Sequence, residues 1–273
     1  MFPERLRGYD GGMGMMEEKA RRLLGAVGEV VAETLWPSRC VLCERPGAVL
    51  CEQCMRDLPY LDWWRACPRC GAAFGAVQCA SCDAVSLARL GRATLPYDGC
   101  ASATMFGDAA GRIVRTYKDH GERRLAESMA ACMARCRPPG WCFDAVTYIP
   151  ATLSAYRYRG FDHARLLAER LCAHMGKQAE RLCAHIGAQA ELPAIALIDA
   201  FARPQARDQR KLTRLERIRN ISGRFSADPA VCAGRRILVV DDVSTTGSTL
   251  LEAADALHVA GASCVYCMTF ARV

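Results

Sequence analysis

Apolar positions along the chain switch between helical and strand periodicity, and that switching outlines the elements. Leu23, Leu24, Val27, Val30 and Val31 recur at helical spacing, predicting a docking helix over residues 15–35 that Trp36-Pro37 closes. Residues 1–14 ahead of it are Gly- and Met-rich and are expected to be disordered. From Arg92 onward the pattern is mixed α and β. Arg92–Tyr97 and Ala101–Phe106 read as strands, and Asp108 as the N-cap of a helix carrying Ile113, Val114 and Tyr117. A second helix spans Arg123–Cys136 before Pro138-Pro139-Gly140 breaks the chain. Asp144–Ile149 reads as a central strand ending at Pro150. A loop with Arg157, Arg159 and Gly160 then leads to a helix starting near Phe161. Ala194–Ile198 and Ser263–Phe270 are further strands. Between them Ile237–Val240 is an apolar, β-branched-rich run of the kind buried on both faces. Leu250, Leu251, Ala254, Leu257 and Val259 follow it at helical spacing.

Two stretches interrupt this alternation. Glu169–Ala179 is repeated as Glu180–Ala190 with nine of eleven positions identical. Eleven residues make about three helical turns, so the copy lengthens a helix while nearly preserving its apolar face. His174 and His185, with Cys172 and Cys183, recur because the helix is duplicated, which explains them better than a metal site does. Arg203–Arg224 carries eight Arg or Lys residues against Asp208 and Glu216. Such a run is ordinarily a solvated helix face; it also has the character of a mobile cationic cover for a pyrophosphate site.

Composition adds bounds. At 273 residues the chain holds one sizeable domain and a small one, and 51% hydrophobic residues suffice for a packed core. A net charge of +7 favours anionic ligands such as phosphates or nucleic acid. No run approaches the ~18 uninterrupted apolar residues of a membrane span. The N-terminus, with Glu4, Arg5 and Arg7, does not read as a secretion signal.

Cysteine changes the picture most. Among 17 cysteines, four C-x2-C pairs crowd into 43 residues: Cys40/Cys43, Cys51/Cys54, Cys67/Cys70 and Cys79/Cys82. Each pair can present two thiolates from a tight turn, and eight thiolates satisfy two tetrahedral, structural Zn²⁺ ions. This spacing argues for metal and a reducing cytoplasm over a disulfide scaffold. Adjacent and alternate pairing of the knuckles are both open at this point. So short a segment has little apolar content, so metal binding should supply its folding free energy. Trp63-Trp64 read as partners of that small core. The other nine cysteines read as buried small hydrophobes, with Cys264 and Cys267 on opposite sides of a strand. The expected organisation is a tail and amphipathic helix (1–39), a zinc-ribbon or knuckle module (40–90) and a mixed α/β domain (91–273).

The candidate chemistry centres on RRILVVDDVSTTGSTL, starting at Arg235. Asp241 and Asp242 end the apolar strand, and Ser244-Thr245-Thr246-Gly247-Ser248-Thr249 turns into the helix. A helix N-terminus with small, hydroxyl-rich residues is an anion site, because backbone N–H groups and the helix dipole point at a phosphate. The carboxylates would repel phosphate but can accept from sugar hydroxyls, so a ribose monophosphate suits the whole. Receiver domains of response regulators also open on a strand ending in Asp-Asp, but residues 243–273 are too few for the rest of one. A nucleotide P-loop is excluded, since no Gly-Lys-Ser/Thr follows. Arg157 and Arg159 lie where an open α/β sheet binds ligands.

The string closely resembles the signature of type I phosphoribosyltransferases, which bind 5-phosphoribosyl 1-pyrophosphate (PRPP). The resemblance implies that Asp241 and Asp242 hold the ribose hydroxyls while Thr245, Thr246, Gly247, Ser248 and Thr249 hold the 5-phosphate. The order of further features is similar to the competence protein F (ComF) group over roughly residues 35–273. These features are the C-x2-C array, Tyr117-Lys118 with Gly121, Pro150, Arg157-Tyr158-Arg159-Gly160-Phe161, Gln209 with Leu212, Arg217, Asn220, Phe225 and a terminal Ala-Arg. Asp162-His163 departs from the group's Asn-Gln, Ala206 stands where a Thr is usual, and the duplication is foreign to the pattern.

This resemblance implies an α/β domain of the type I phosphoribosyltransferase fold, a parallel sheet flanked by helices, binding PRPP with Mg²⁺. It also implies a cytoplasmic role in natural transformation, beside single-stranded DNA and helicase-like or recombination proteins. As an enzyme it would displace pyrophosphate from ribose C1 with a nitrogen nucleophile. Arg157, Arg159 and the 203–219 segment would stabilise charge, and closure of that segment would exclude water. The alternatives are a non-catalytic single-stranded-DNA adaptor with a PRPP-sensing site, and a base-salvage transferase.

Overall fold

The computed structural model describes residues 37–186, 195–202 and 225–273. The helix expected at 15–35 and the basic stretch 203–224 lie outside the described residues. The chain divides into two units, Met1–Cys51 and Glu52–Val273.

In the first unit the described residues form a tight turn. Arg39 and Pro46 make an antiparallel bridge, and the Glu44 N–H donates to the Cys40 carbonyl at 2.8 Å. Glu44, immediately after Cys43, takes φ 62°, a left-handed conformation that non-glycine residues rarely adopt.

The second unit is built on five parallel strands, β1 (Gly99–Met105), β2 (Ala145–Tyr148), β3 (Ala196–Leu197), β4 (Arg236–Ser244) and β5 (Cys264–Arg272), in spatial order β1-β5-β4-β2-β3. β4 is paired on both sides, by β2 and β5. That position explains its Ile237-Leu238-Val239-Val240 run, since helices cover both faces of a parallel sheet. Helix α8 (Ser248–Val259) lays Leu250, Ala254 and Leu257 in one core cluster with Ile237, Val239, Val265 and Cys267. Alternation sends Leu238 and Val240 to the opposite face, and there β4 meets α6 (His163–Ile186). α6 also packs on α4 (Leu125–Arg135), with Leu125, Met129, Met133, Leu167 and Leu171 fully buried. The 24 residues of α6 run through the first copy of the duplication and into the second without a break.

Several boundaries differ from expectation. Arg92–Tyr97 is not a strand: β5 begins at Cys264, and the Asp98 N–H bond to the Val265 carbonyl is the last rung, so nothing upstream offers a partner. Tyr97 is buried by packing instead. Gly107, not Asp108, caps helix α3 (Asp108–Lys118); Asp108 is in its first turn, where its charge favours the helix dipole. The segment with Arg157 and Arg159 is not a loop but helix α5 (Leu153–Arg159), closed by Thr152 at its start and by Gly160 at φ +72° at its end. β4 outruns its apolar core to Ser244 because β5 offers partners that far: Asp241 opposes Thr269 and Ser244 opposes Arg272. The twin aspartates therefore sit inside the strand, two residues before its end, rather than ending it. Cys142 is exposed, so it is not one of the buried small hydrophobes.

The chain before β1 is tied to that strand. The Leu61 N–H donates to the Ala103 carbonyl and the Met105 N–H to the Pro59 carbonyl, both at 2.9 Å. Short helices α1 (Glu52–Arg56) and α2 (Ala84–Arg89) flank this segment, and α7 (Pro229–Cys232) precedes β4. No helix of the described residues is long and apolar enough to cross a membrane.

Candidate functional site

The eight knuckle cysteines assemble as two groups able to hold a metal ion, Cys40/Cys43/Cys51/Cys54 and Cys67/Cys70/Cys79/Cys82. Adjacent knuckles thus pair, the point that spacing left open. Sulfur separations are 3.7 Å for Cys43–Cys51, 3.6 Å for Cys67–Cys82 and 3.5 Å for Cys70–Cys79. A tetrahedron of thiolates ~2.3 Å from zinc has edges of roughly 3.8 Å, so the donor spacing fits that ion. Burial pushes the Cys40 thiol up, but backbone donors of Cys43, Cys51 and Leu42 outweigh it and bring it down to about 6. The same contest, with Ser81 and the Cys70 thiol as the main donors, leaves Cys79 at about 7. Burial pushes Cys70 and Cys82 of the second tetrad the other way, Cys70 to about 11, so one lowered and two raised thiols share that group. Gly71 directly follows the Cys67-x2-Cys70 turn at φ +72°, and a Cβ there would lie 2.5 Å from the Cys100 carbonyl oxygen of β1. Arg272 donates to the Cys70 carbonyl at 2.7 Å, fastening this turn to the end of β5.

A cleft of about 220 Å³ opens at the C-terminal end of the sheet, where open parallel sheets bind their ligands. Asp241 and Asp242 come from β4, Lys118 from the end of α3, His163 from the start of α6, Thr249 from the start of α8 and Thr152 from the cap of α5. Asp242 is 1% exposed. Its Oδ2 lies 2.5 Å from Lys118 Nζ, and its Oδ1 lies 3.9 Å from His163 Nε2. Burial would raise the Asp242 carboxyl, but the Lys118 ammonium outweighs it and holds the group below the ordinary carboxylate range. Asp241 goes the other way: burial and the neighbouring Asp242 charge push it well above that range. One lysine compensates one carboxylate, and the charged form of the second is disfavoured. Burial lowers His163 to about 4 despite Asp242, leaving a neutral imidazole.

The start of α6 is held firmly. Asp162 accepts from the Arg165 N–H at 3.3 Å as a helix cap and from the Ala151 N–H at 3.0 Å. The buried Tyr117 hydroxyl donates to the His163 carbonyl at 2.6 Å, and its ring meets Phe161 edge-on at 5.6 Å. The Asp162-His163 pair thus has definite work, a cap and a wall of the cleft.

Of the phosphate-turn residues, Thr249 faces the cleft. Thr245 and Thr246 form the turn before Gly247, which takes φ +74° and caps α8; the Thr246 and Ser248 hydroxyls are 3.0 Å apart. The four carry the backbone amides of the α8 N-terminus rather than side chains of the cleft wall. Arg157 is exposed and Arg159 pairs with Asp119 at 3.6 Å; neither is among the cleft residues. Lys118 and His163 were not singled out as site residues by sequence; the Tyr117-Lys118 motif and the Asp162-His163 departure were the signals that pointed to them. His174 pairs with Glu127 at 3.0 Å, and among the described residues neither it nor Cys172 belongs to a metal-holding group.

Residues 199–273 match the phosphoribosyl transferase domain family. The matched stretch contains β4, the twin aspartates, the turn, α8 and β5. The fold is accordingly the α/β phosphoribosyltransferase type, a parallel sheet flanked by helices, preceded by two cysteine tetrads. No curated protein matches the chain. Similar solved structures include the allosteric regulatory enzyme of purine biosynthesis (18% identity, 53% of this chain, 25% of that one, TM-score 0.34). Another is glutamine phosphoribosylpyrophosphate amidotransferase from B. subtilis complexed with ADP and GMP (18% identity, the same shares, TM-score 0.35). The chain spans about a quarter of the length of each.

Proposed function

We propose that this chain binds PRPP with Mg²⁺ as a phosphoribosyltransferase-like protein of the ComF group, that its tetrads hold two structural Zn²⁺ ions, and that it serves DNA uptake in natural transformation. The observation that carries the PRPP reading is the acidic pair of β4 at a cleft bordered by the first turn of α8. Asp241 and Asp242 accept from the ribose hydroxyls, and the amides from Thr245 to Thr249 receive the 5-phosphate at a helix N-terminus. Two carboxylates and a neutral imidazole are oxygen and nitrogen donors of the kind a divalent cation takes. Mg²⁺, when bound, supplies charge neutralisation to the pyrophosphate. Lys118 anchors the ribose-binding carboxylate Asp242 and Thr249 orients the phosphate end; Arg157 and Arg159 lie outside the cleft, and charge stabilisation of the leaving group by them requires a movement of α5.

Titration calorimetry with PRPP and Mg²⁺ tests this. Asp241→Asn with Asp242→Asn is expected to abolish binding while the zinc content stays at two per chain. Unchanged PRPP binding by that variant sinks the site assignment. Pyrophosphate release across a panel of bases and amines identifies the acceptor.

One observation favours a second reading, a single-stranded-DNA adaptor. Trp63 and Trp64 are 40% and 60% exposed, with rings at 5.7 Å edge to face, rather than buried as partners of the zinc-module core. Exposed indoles can stack on bases. Salt-dependent oligonucleotide binding that falls in Trp63→Ala/Trp64→Ala, without pyrophosphate release, would support it.

A further inference from the structure

The second tetrad is fastened to the strand and to the helix that frame the phosphate turn, all within the unit Glu52–Val273. Cys67, Cys70, Ala72 and Cys82 make its small buried cluster, with Leu95 packed against it. So little apolar surface leaves the metal to fix the Cys67-x2-Cys70 turn. That turn presents the Cys70 carbonyl to Arg272 Nη1 at 2.7 Å. Arg272 lies in register between Met105 of β1 and Ser244 of β4. The next residue, Val273, donates its N–H to the Ser244 carbonyl at 3.0 Å. Ser244 underlies the phosphate turn: it is 3% exposed, and its Oγ lies 3.8 Å from where a Cβ on Gly247 would sit. Two more ties reach the helix on the other flank. Leu95 packs on the core cluster of Leu250 and Leu251 as well as on the tetrad cluster, and Arg92 pairs with Asp255 of α8.

We infer that Arg272 is a positioning residue through which the zinc-loaded second tetrad sets the phosphate turn, so that zinc occupancy there and ribose-phosphate affinity rise together. With zinc bound, the Cys70 carbonyl holds the Arg272 guanidinium, and the ends of β4 and β5 are fixed beside the turn that aligns the α8 amides. Without zinc the cysteine turn loses its fold, the guanidinium loses its acceptor, and the last pairs of β4 and β5 fray. A phosphate that binds then has to order those amides itself, and its affinity falls. Such coupling is reciprocal, so a bound phosphate tightens the zinc by the same factor. The inference rests on the PRPP reading for the identity of the anion; the link between the tetrad and the turn is a property of the chain alone.

The test uses the full-length, zinc-loaded protein and ribose 5-phosphate, which lacks the pyrophosphate that would itself chelate zinc. Calorimetry gives its affinity. Arg272→Met keeps an apolar stem without a donor; zinc should stay at two ions per chain while affinity falls roughly fivefold or more. Cys67→Ser, which removes a ligand of the same tetrad, should lose at least as much. Adding Arg272→Met to it should cost nothing further, because both variants cut one link. The wild type supplies a measurement that needs no variant. Saturating ribose 5-phosphate should raise the chelator concentration that strips the second-tetrad zinc by the same factor, and Arg272→Met should abolish that protection. A merely structural tie would lower the urea midpoint without linking the two affinities. Wild-type zinc stripping that ignores ribose 5-phosphate overturns the inference, as do an Arg272→Met affinity equal to wild type and additive losses in the double variant. So does a wild type that binds no ribose 5-phosphate. Calorimetry with PRPP and Mg²⁺ on the same wild-type sample separates the two claims. PRPP binding without zinc coupling refutes the inference and leaves the PRPP reading standing; coupling without PRPP binding does the reverse.

Discussion

Gly71→Ala is expected to release zinc from the second tetrad selectively. Gly71 follows Cys70 with φ +72°, and an alanine there carries the left-handed penalty of roughly 1–2 kcal/mol. Its Cβ would also lie 2.5 Å from the Cys100 carbonyl oxygen and 3.0 Å from the Cys100 carbonyl carbon. These are backbone atoms of β1, and Cys100 is held in register with Cys267 of β5. The strand cannot retreat without loosening its ladder, so the overlap costs about 1–3 kcal/mol more, as overpacking does elsewhere. The total, about 3 kcal/mol, corresponds to a roughly 100-fold change in equilibrium. Zinc transfer to a colorimetric chelator should therefore become biphasic, one ion leaving far sooner than the other. The reciprocal change is available at the first tetrad. Glu44 occupies the same place after Cys43 with φ 62°, and Glu44→Gly relieves about 1 kcal/mol of backbone strain there. That variant should hold its zinc a few-fold longer. Zinc release from Gly71→Ala indistinguishable from wild type, with an unchanged urea midpoint, would refute the argument from φ and close approach.

Three further outcomes follow from the structure. Cys67→Ser should lower bound zinc from two ions to one per chain, because the tetrads pair adjacent knuckles; loss of both ions would contradict that pairing. Tyr117→Phe removes a buried donor from the His163 carbonyl, and urea denaturation should show a loss of about 1–2 kcal/mol at unchanged m-value. Asp144 is held down to about 2 by the Arg236 guanidinium and backbone N–H, so its stabilising contribution is present above the ordinary carboxylate pKa and disappears as pH falls through about 2. Both side chains are nearly half exposed, so Asp144→Asn should cost no more than about 1 kcal/mol at pH 7, a difference that vanishes between about pH 4 and pH 2 in urea melts.

Local chemistry made much of this protein readable from its residues. C-x2-C turns bind metal through neighbours in sequence, so all eight thiolates could be named, and an apolar run before Asp-Asp and a hydroxyl-rich turn marks a strand feeding a helix wherever it occurs. Which knuckles pair, by contrast, depends on how the chain folds back, and only the structure joined Cys40 with Cys54 and Cys67 with Cys82. The end of β4 was misplaced for a similar reason. Strand length is set by what the neighbour offers, and β5 carries the pairing past the aspartates to Ser244; Arg92–Tyr97, with a suitable composition, finds no such partner.

The candidate site shows the same division. Asp241, Asp242 and Thr249 lie on one short segment and were legible together. Lys118, His163 and Tyr117 come from the ends of two helices, 124 and 79 residues away from Asp242 for the first two, and each looks ordinary in its own neighbourhood. The parallel sheet alone gathers strand ends and helix termini at one edge. There the low dielectric makes a single ammonium decisive for the carboxylate it faces.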